Sequence, residues 1–237
     1  MEKLEEALQH LIGYGNPDTA QIYFFGLEEK GNINDIKNDR KKYYLDKYED
    51  MQKQKEKFFW INNDQLYEKL ERLREVDKNN SDIQTYEAYG TIYNIIFNNN
   101  KKFEFDEFWK NLIREDSKIF IGNIYHIPKP NHNSLTRSEL KPFKEKRLPL
   151  VINFIDKYIR DYQKKILLIF GNYSRKEEIM NHWGEVYDYK IPGSKRTIHL
   201  ARNEKYPNLY WTYHPSWGWL TEEHQKRYAE IIKKNRE

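Results

Sequence analysis

Four stretches of the chain are apolar at consecutive positions instead of alternating ones: Ala20 to Gly26, Lys118 to Tyr125, Lys165 to Gly171, and Leu209 to Tyr213. A strand that is apolar throughout is buried on both faces, which argues for a parallel sheet sandwiched between helices. Segments with helical spacing separate these strands. Leu4, Leu8, Leu11 and Ile12 form a first helical stripe, which Gly13 and Gly15 are expected to end. Val151, Phe154, Ile155, Tyr158, Ile159 and Tyr162 form another, and Tyr228, Ile231 and Ile232 mark a last helix with Thr221 as its N-cap. The stretch from about 36 to 112 is highly charged and reads as mostly helical. It carries aromatic and aliphatic stripes such as Phe58, Phe59, Tyr67, Leu70 and Leu73, and it is broken at Asn79-Asn80-Ser81 and Asn98-Asn99-Asn100. Ile198-His199-Leu200 adds a short strand.

Three of the apolar runs reach a glycine near their ends, at Gly26, Gly122 and Gly171, with the polar residues Glu28, Asn123 and Asn172 one or two positions beyond. Glycine at such a point allows an unusual turn or a close backbone approach. In open α/β sheets ligands bind at the carboxyl ends of the strands, so Glu28, Asn123, Asn172 and His214 are expected around a single cleft. The last run continues as Tyr213-His214-Pro215-Ser216-Trp217-Gly218-Trp219, placing a histidine where a strand stops. A buried histidine before a structural turn fits that pattern equally well. No Walker-type or Gly-x-Gly-x-x-Gly loop is present, which weighs against nucleotide-triphosphate and dinucleotide chemistry.

Composition narrows the classes further. A chain of 237 residues fits one large domain, and 12 Phe, 19 Tyr and 6 Trp supply core bulk although charged residues make up 33% and mean hydropathy is -1.03. The sequence holds no apolar run of about 18 residues, so no membrane span is expected. The opening Met1-Glu2-Lys3-Leu4-Glu5-Glu6 reads as an acidic helix and not as a secretory leader. With Cys 0, disulfides and thiolate-held metals or clusters are excluded, and a cytoplasmic location is the expectation. No Asp/Glu/His cluster at metal-ligand spacing stands out, so a metal-dependent nuclease has little support. Net charge is +4, with basic clusters at Lys37 to Lys42, Lys53 to Lys57, Lys141 to Arg147 and Lys195-Arg196. These suit a polyanion, although each alone reads first as a solvated face.

Four segments, in order, resemble the uracil-DNA glycosylase superfamily: Phe24-Phe25-Gly26-Leu27-Glu28-Glu29, Ile119 to Pro130, Leu168-Ile169-Phe170-Gly171-Asn172, and Tyr213-His214-Pro215-Ser216. With the chain that links them, and leaving out the stretch at about 36–112, which has no counterpart, they cover about half the sequence. The resemblance implies a single three-layer α/β/α domain over residues 1–237, with a central, mostly parallel four-stranded sheet and a helical insertion at about 36–112. It implies a monofunctional, cofactor-free DNA glycosylase, monomeric, acting on DNA with a flipped uracil or C5-modified pyrimidine, in base-excision repair or defence against modified viral DNA. Glu28 would orient water, and His214 would hold the charge developing on the leaving base. Asn123 would read the base edge, and Tyr43 or Tyr44 would stack on it. Gly171, Asn172, Ser216, Pro128 and Lys129 would contact DNA, and Trp217, Trp219 or Leu220 would fill the vacated stack.

The chemistry is consistent with these residue types. Cleaving an N-glycosidic bond produces an oxocarbenium-like sugar and an anionic base, so a site needs a water-orienting acceptor and a donor to the departing oxygen. An asparagine offers both a carbonyl and an amide to a pyrimidine edge. One departure bears on specificity. The strict uracil enzymes carry proline and an aromatic after the acid of the first motif, and the aromatic excludes C5 substituents, whereas this chain has Glu29 and Lys30. Tolerance of C5-substituted pyrimidines follows if the filter is missing. The competing reading is a non-catalytic relative of the same fold that binds DNA or protein, in which Glu28 belongs to a charged loop and His214 to a turn.

Overall fold

The computed structural model describes residues 2–30, 38–61, 81–98, 102, 104–114, 116–129, 137–159, 165–171, 176–192, 197–213 and 221–236; of Glu28, Pro128 and Lys129 it describes the backbone alone. The protein is α/β. The helices are α1 (Glu2–His10), α2 (Asn38–Lys53), α3 (Ser81–Phe97), α4 (Phe105–Ile113), α5 (Arg137–Tyr158), α6 (Glu177–Met180) and α7 (Glu222–Lys234). The strands are β1 (Leu11–Tyr14), β2 (Ile22–Lys30), β3 (Phe59–Ile61), β4 (Ile119–Lys129), β5 (Ile166–Phe170), β6 (Val186–Ile191), β7 (Ile198–Asn203) and β8 (Leu209–Thr212).

Among the described residues, all eight strands join one mixed sheet in the order β3-β1-β4-β2-β5-β8-β7-β6. The expectation of a four-stranded sheet is therefore corrected to eight. The inner four, β4-β2-β5-β8, are the uniformly apolar runs and pair in parallel throughout. Antiparallel pairs extend the sheet on each side, β1 against β4 and β7 against β8, with β6 against β7 beyond. Outermost on the other side, β3 pairs in parallel with β1.

Side chains alternate across the sheet and divide the core by face. Ile22, Phe24, Ile119, Ile121, Ile166, Leu168 and Phe170 pack with residues of α3, α4 and α7. Tyr23, Phe25, Phe120, Leu167 and Ile169 pack on the opposite face with Val151, Phe154, Ile155 and Tyr158 of α5. A third cluster joins Leu4, Ala7 and Leu8 of α1 to Tyr44, Tyr48 and Met51 of α2 and to Phe59 and Ile61 of β3. Thr221 caps α7 as expected: its hydroxyl accepts from the His224 N–H at 3.4 Å, and its own N–H donates to His224 Nδ1 at 3.2 Å.

Several boundaries differ from the pattern-based reading. The α1 stripe stops at His10, and Leu11–Tyr14 is a strand: Gly13 pairs with Gly122, and a Cβ on either glycine would collide with the facing strand's backbone. Phe59 belongs to β3 instead of to a helix, so the described part of 36–112 is not wholly helical. The polar stretch after Gly26 continues β2 to Lys30, paired with β4 through Glu28↔Tyr125 and, after a register shift, Lys30↔Lys129. Pro128 thus lies within β4 and not in a loop. Pro128 falls at the register shift between Glu28↔Tyr125 and Lys30↔Lys129, the kind of irregularity at which a strand accommodates proline.

Candidate functional site

The parallel core brings its strand ends to one edge. Asn123, Gly26, Phe170 and Thr212 stand in register across β4, β2, β5 and β8. At about 4.8 Å per strand this row spans roughly 14 Å. Gly26 and Asn123 share the strand parity of Phe24 and Ile121, and so lie towards α3 and α7. A Cβ built on Gly26 would sit 2.9 Å from Asn123 Oδ1. The asparagine carboxamide therefore occupies the space that the missing side chain leaves open, and Asn123 is partly exposed there.

Glu28 lies two residues beyond this row on β2, at the same parity, which adds about 7 Å along the strand. Beyond Phe170 and Thr212, β2 and β4 project past β5 and β8 as a two-stranded ribbon. Glu28 thus stands on a paired strand at the rim instead of in the loop expected for it. On the other side of the row β8 ends at Thr212, and Tyr213 is the last residue described before His214. His214, Ser216, Trp217, Trp219, Leu220 and Asn172 lie outside the described residues. The backbone of Pro128 and Lys129 continues the ribbon.

Two expected contacts need correction. The Gly171 N–H donates to the Thr212 carbonyl at 2.9 Å, so the sheet already engages the amide expected to hold a phosphate. Tyr43 and Tyr44 belong to α2, beyond β4 and β1 from the strand row. Tyr44 is buried in the cluster of α1, α2 and β3, and Tyr43 packs partly against it. The Tyr44 ring is committed to packing, because the Tyr44–Tyr48–Met51 face of α2 is what covers α1, and the half-buried Tyr43 ring meets it edge-on at 6.4 Å.

A different aromatic group lies over the strand ends. Tyr89 of α3 stacks on Phe24 at 4.5 Å and on Phe170 at 5.2 Å. Tyr86, half-buried and one turn nearer the helix start, meets Tyr89 edge-on at 5.9 Å. The far end of α3 carries Tyr93 and Asn94, which with Asn98 just past the helix and Ile119 line a small cavity at the beginning of β4. The first turns of α3 therefore lie towards the carboxyl ends of the strands. Tyr86, Tyr89 and Tyr93 repeat at helical spacing, a signal the sequence carried but one that equally describes a plain core stripe.

A second group was not anticipated. His199 Nδ1 lies 2.8 Å from Asp188 Oδ2, joining β7 to β6. The His199 carbonyl accepts from Thr212 Oγ1 at 3.0 Å, which places the pair beside the end of β8. Burial, and secondarily the charge of Asp188, raises the pKa of the Tyr213 hydroxyl. The basic clusters also change in content. Lys141 and Lys146 of α5 are exposed, but Arg147 is 1% exposed and points inward. Its Nε donates to the Ile124 carbonyl at 3.2 Å, its Nη2 to the Asn123 carbonyl at 3.0 Å, and its Nη1 to the Gln9 carbonyl. No family model matches this chain, and no curated protein matches it.

Proposed function

We propose that this protein is a DNA glycosylase that hydrolyses the N-glycosidic bond of a flipped uracil or C5-substituted pyrimidine. The observation that carries this reading is the packing of the Asn123 carboxamide over Gly26 at the common edge of four parallel strands. Glu28 follows on the same strand, and the β8 end leads to His214. In this reading the inner four strands with helices on both faces serve as the glycosylase-like core. Asn123 pairs with the base edge, Glu28 orients the attacking water, and His214 donates to the departing oxygen. Tyr86, edge-on to the Tyr89 that stacks on Phe170, takes the stacking role in place of Tyr43 and Tyr44. Glu29 and Lys30 leave the C5 side of the base without a proline–aromatic filter. The partner is DNA, engaged by a monomer.

Base release is the direct test. Mass analysis of bases freed from uracil-containing, genomic and C5-modified phage DNA is expected to show one pyrimidine released, with intact phosphodiesters and no effect of chelator. Binding without any free base would instead favour a non-catalytic DNA-binding relative. Chelator-sensitive strand scission would favour a nuclease. Affinity for DNA is expected to fall as salt rises, because lysines and arginines displace counterions. A flat response would remove nucleic acid as partner.

Gly26 supplies a sharper probe. Gly26→Ala places a methyl carbon against Asn123 Oδ1, the end of a movable side chain, so the carboxamide shifts and the backbone does not. The melting temperature is expected to change by no more than about 2–4 °C, the shift that 1 kcal/mol produces at this size. Base release is expected to fall about tenfold or more, since a polar base edge is then mispaired. Thermal melts run beside the release assay check both halves. Unaltered release would take Asn123 out of the base pocket.

A further inference from the structure

Arg147 is a fully buried cation in the middle of α5, within a stretch whose other described basic residues, Lys141 and Lys146, face solvent. Withdrawing a guanidinium from water is costly unless its donors are satisfied with good geometry. Here they meet backbone carbonyls of two separate elements: Asn123 and Ile124 at the point where β4 leaves the sheet core, and Gln9 in the last turn of α1. The carbonyls at a helix end lack intrahelical partners and carry the negative end of the helix dipole, so a cation there is favourable.

The position of this contact along β4 matters most. Pairing of β4 with β1 is described at Ile121 and Gly122, and Asn123 is the next residue. From this point the guanidinium binds main-chain carbonyls of β4, on the side of the sheet packed by α5. Two consecutive peptide groups held by one planar fork are fixed in orientation as well as in place, which a point-charge ammonium does not do. On the opposite side the carboxamide of the same residue rests in the opening above Gly26.

We infer that Arg147 is the positioning residue of Asn123: its clamp on the Asn123 and Ile124 carbonyls sets the angle at which the carboxamide meets the base. This rests on the glycosylase reading. Arg147 lies on the α5 side and touches neither base nor sugar. It acts through the β4 backbone, and the bond to Gln9 ties the same clamp to α1.

The test compares the wild type with Arg147→Lys and Arg147→Met, using oligonucleotides that carry the base found to be released and a competitor base differing at the edge Asn123 reads. Arg147→Lys keeps the charge and most of the bulk but loses the fork. Discrimination, as the ratio of kcat/KM values for the two bases, is expected to fall about tenfold, because a misplaced two-point pair no longer rejects the wrong edge. Affinity for unmodified duplex and its salt dependence are expected to stay as in the wild type, which separates this role from a phosphate contact. Unchanged discrimination in a folded Arg147→Lys protein overturns the inference while leaving base release by the wild type intact.

Should both variants fail to fold, the wild type itself decides. With selectively labelled arginine and asparagine, the Arg147 side-chain N–H signals and the Asn123 carboxamide signals are expected to shift together when the base-bearing oligonucleotide is added, and Arg147 to stay silent with unmodified duplex. An Arg147 signal indifferent to the base overturns the inference. If the wild type frees no base from any substrate, the glycosylase reading falls first, and this assignment with it.

Discussion

Replacing Glu28 with alanine, or His214 with alanine, is expected to lower single-turnover base release at least tenfold while DNA binding persists. In the proposed reaction the two residues act at opposite ends of the breaking bond. As the C1′–N bond lengthens, positive charge gathers on the sugar and negative charge on the base. In that reaction a carboxylate carried by the projecting part of β2 would orient water toward the sugar carbon and take its proton, a contribution of about 10²–10⁴ in rate. A neutral imidazole donating one N–H to the base oxygen stabilises the other pole, and removing such a donor costs about 3–4 kcal/mol. Both interactions strengthen in the transition state, so the loss is expected in kcat with KM for DNA nearly constant. Glu28→Gln should resemble alanine, because an amide cannot accept the water's proton. The check is rapid-quench base release beside an independent binding titration. Full activity in both alanine variants would end the assignment of these roles.

The strands of the parallel core were legible because a strand covered on both faces has no polar side. Ile166-Leu167-Leu168-Ile169-Phe170 can be little else, and all five are fully buried. What escaped reading was less hydrophobic or more ambiguous. The residues of β1 continue the helical spacing of Leu4 and Leu8, and only the Gly13–Gly122 approach shows that the chain has turned into the sheet. The strand β6 is an edge whose Val186-Tyr187-Asp188-Tyr189-Lys190 alternates weakly and stays half in solvent. Short β3 is hidden in a charged region that reads as helix.

Of the candidate site, the strand ends were legible where glycine and asparagine follow apolar runs, and Gly26 and Asn123 do stand in one register. It was not legible where a role depends on tertiary placement. Tyr43 and Tyr44 follow the first motif in sequence, yet α2 carries them to the far edge of the sheet. Tyr86 is distant in sequence, and only α3 brings it edge-on to the Tyr89 that stacks on Phe170. Arg147 looked like one more surface charge because its partners are carbonyls, which every residue possesses and no pattern reveals.

Phe154→Ala is expected to be the most destabilising single change in the core, and to spare the chemistry. Phe154 is fully buried on α5, with ring centroids 4.9 Å from Tyr158, 5.1 Å from Phe120, 5.4 Å from Phe58, 5.9 Å from Phe25 and 6.1 Å from Tyr23. It therefore joins β2, β4, the segment before β3 and its own helix at one point. Truncation removes the ring's transfer free energy and leaves a cavity lined by stiff aromatics that cannot collapse into it, at a cost of about 3–5 kcal/mol. At roughly 2–4 °C per kcal/mol for a chain of this size, the melting midpoint should drop by about 6–20 °C. The ring lies on the face opposite Gly26 and Asn123, so base release measured well below the midpoint should keep its wild-type discrimination. Denaturant melts and the release assay, run on the same preparation, separate the two effects. A loss under about 1 kcal/mol would mean that α5 is held to the sheet by something other than this cluster. Altered base discrimination in the cold would mean that packing on the α5 face reaches across the sheet into the pocket.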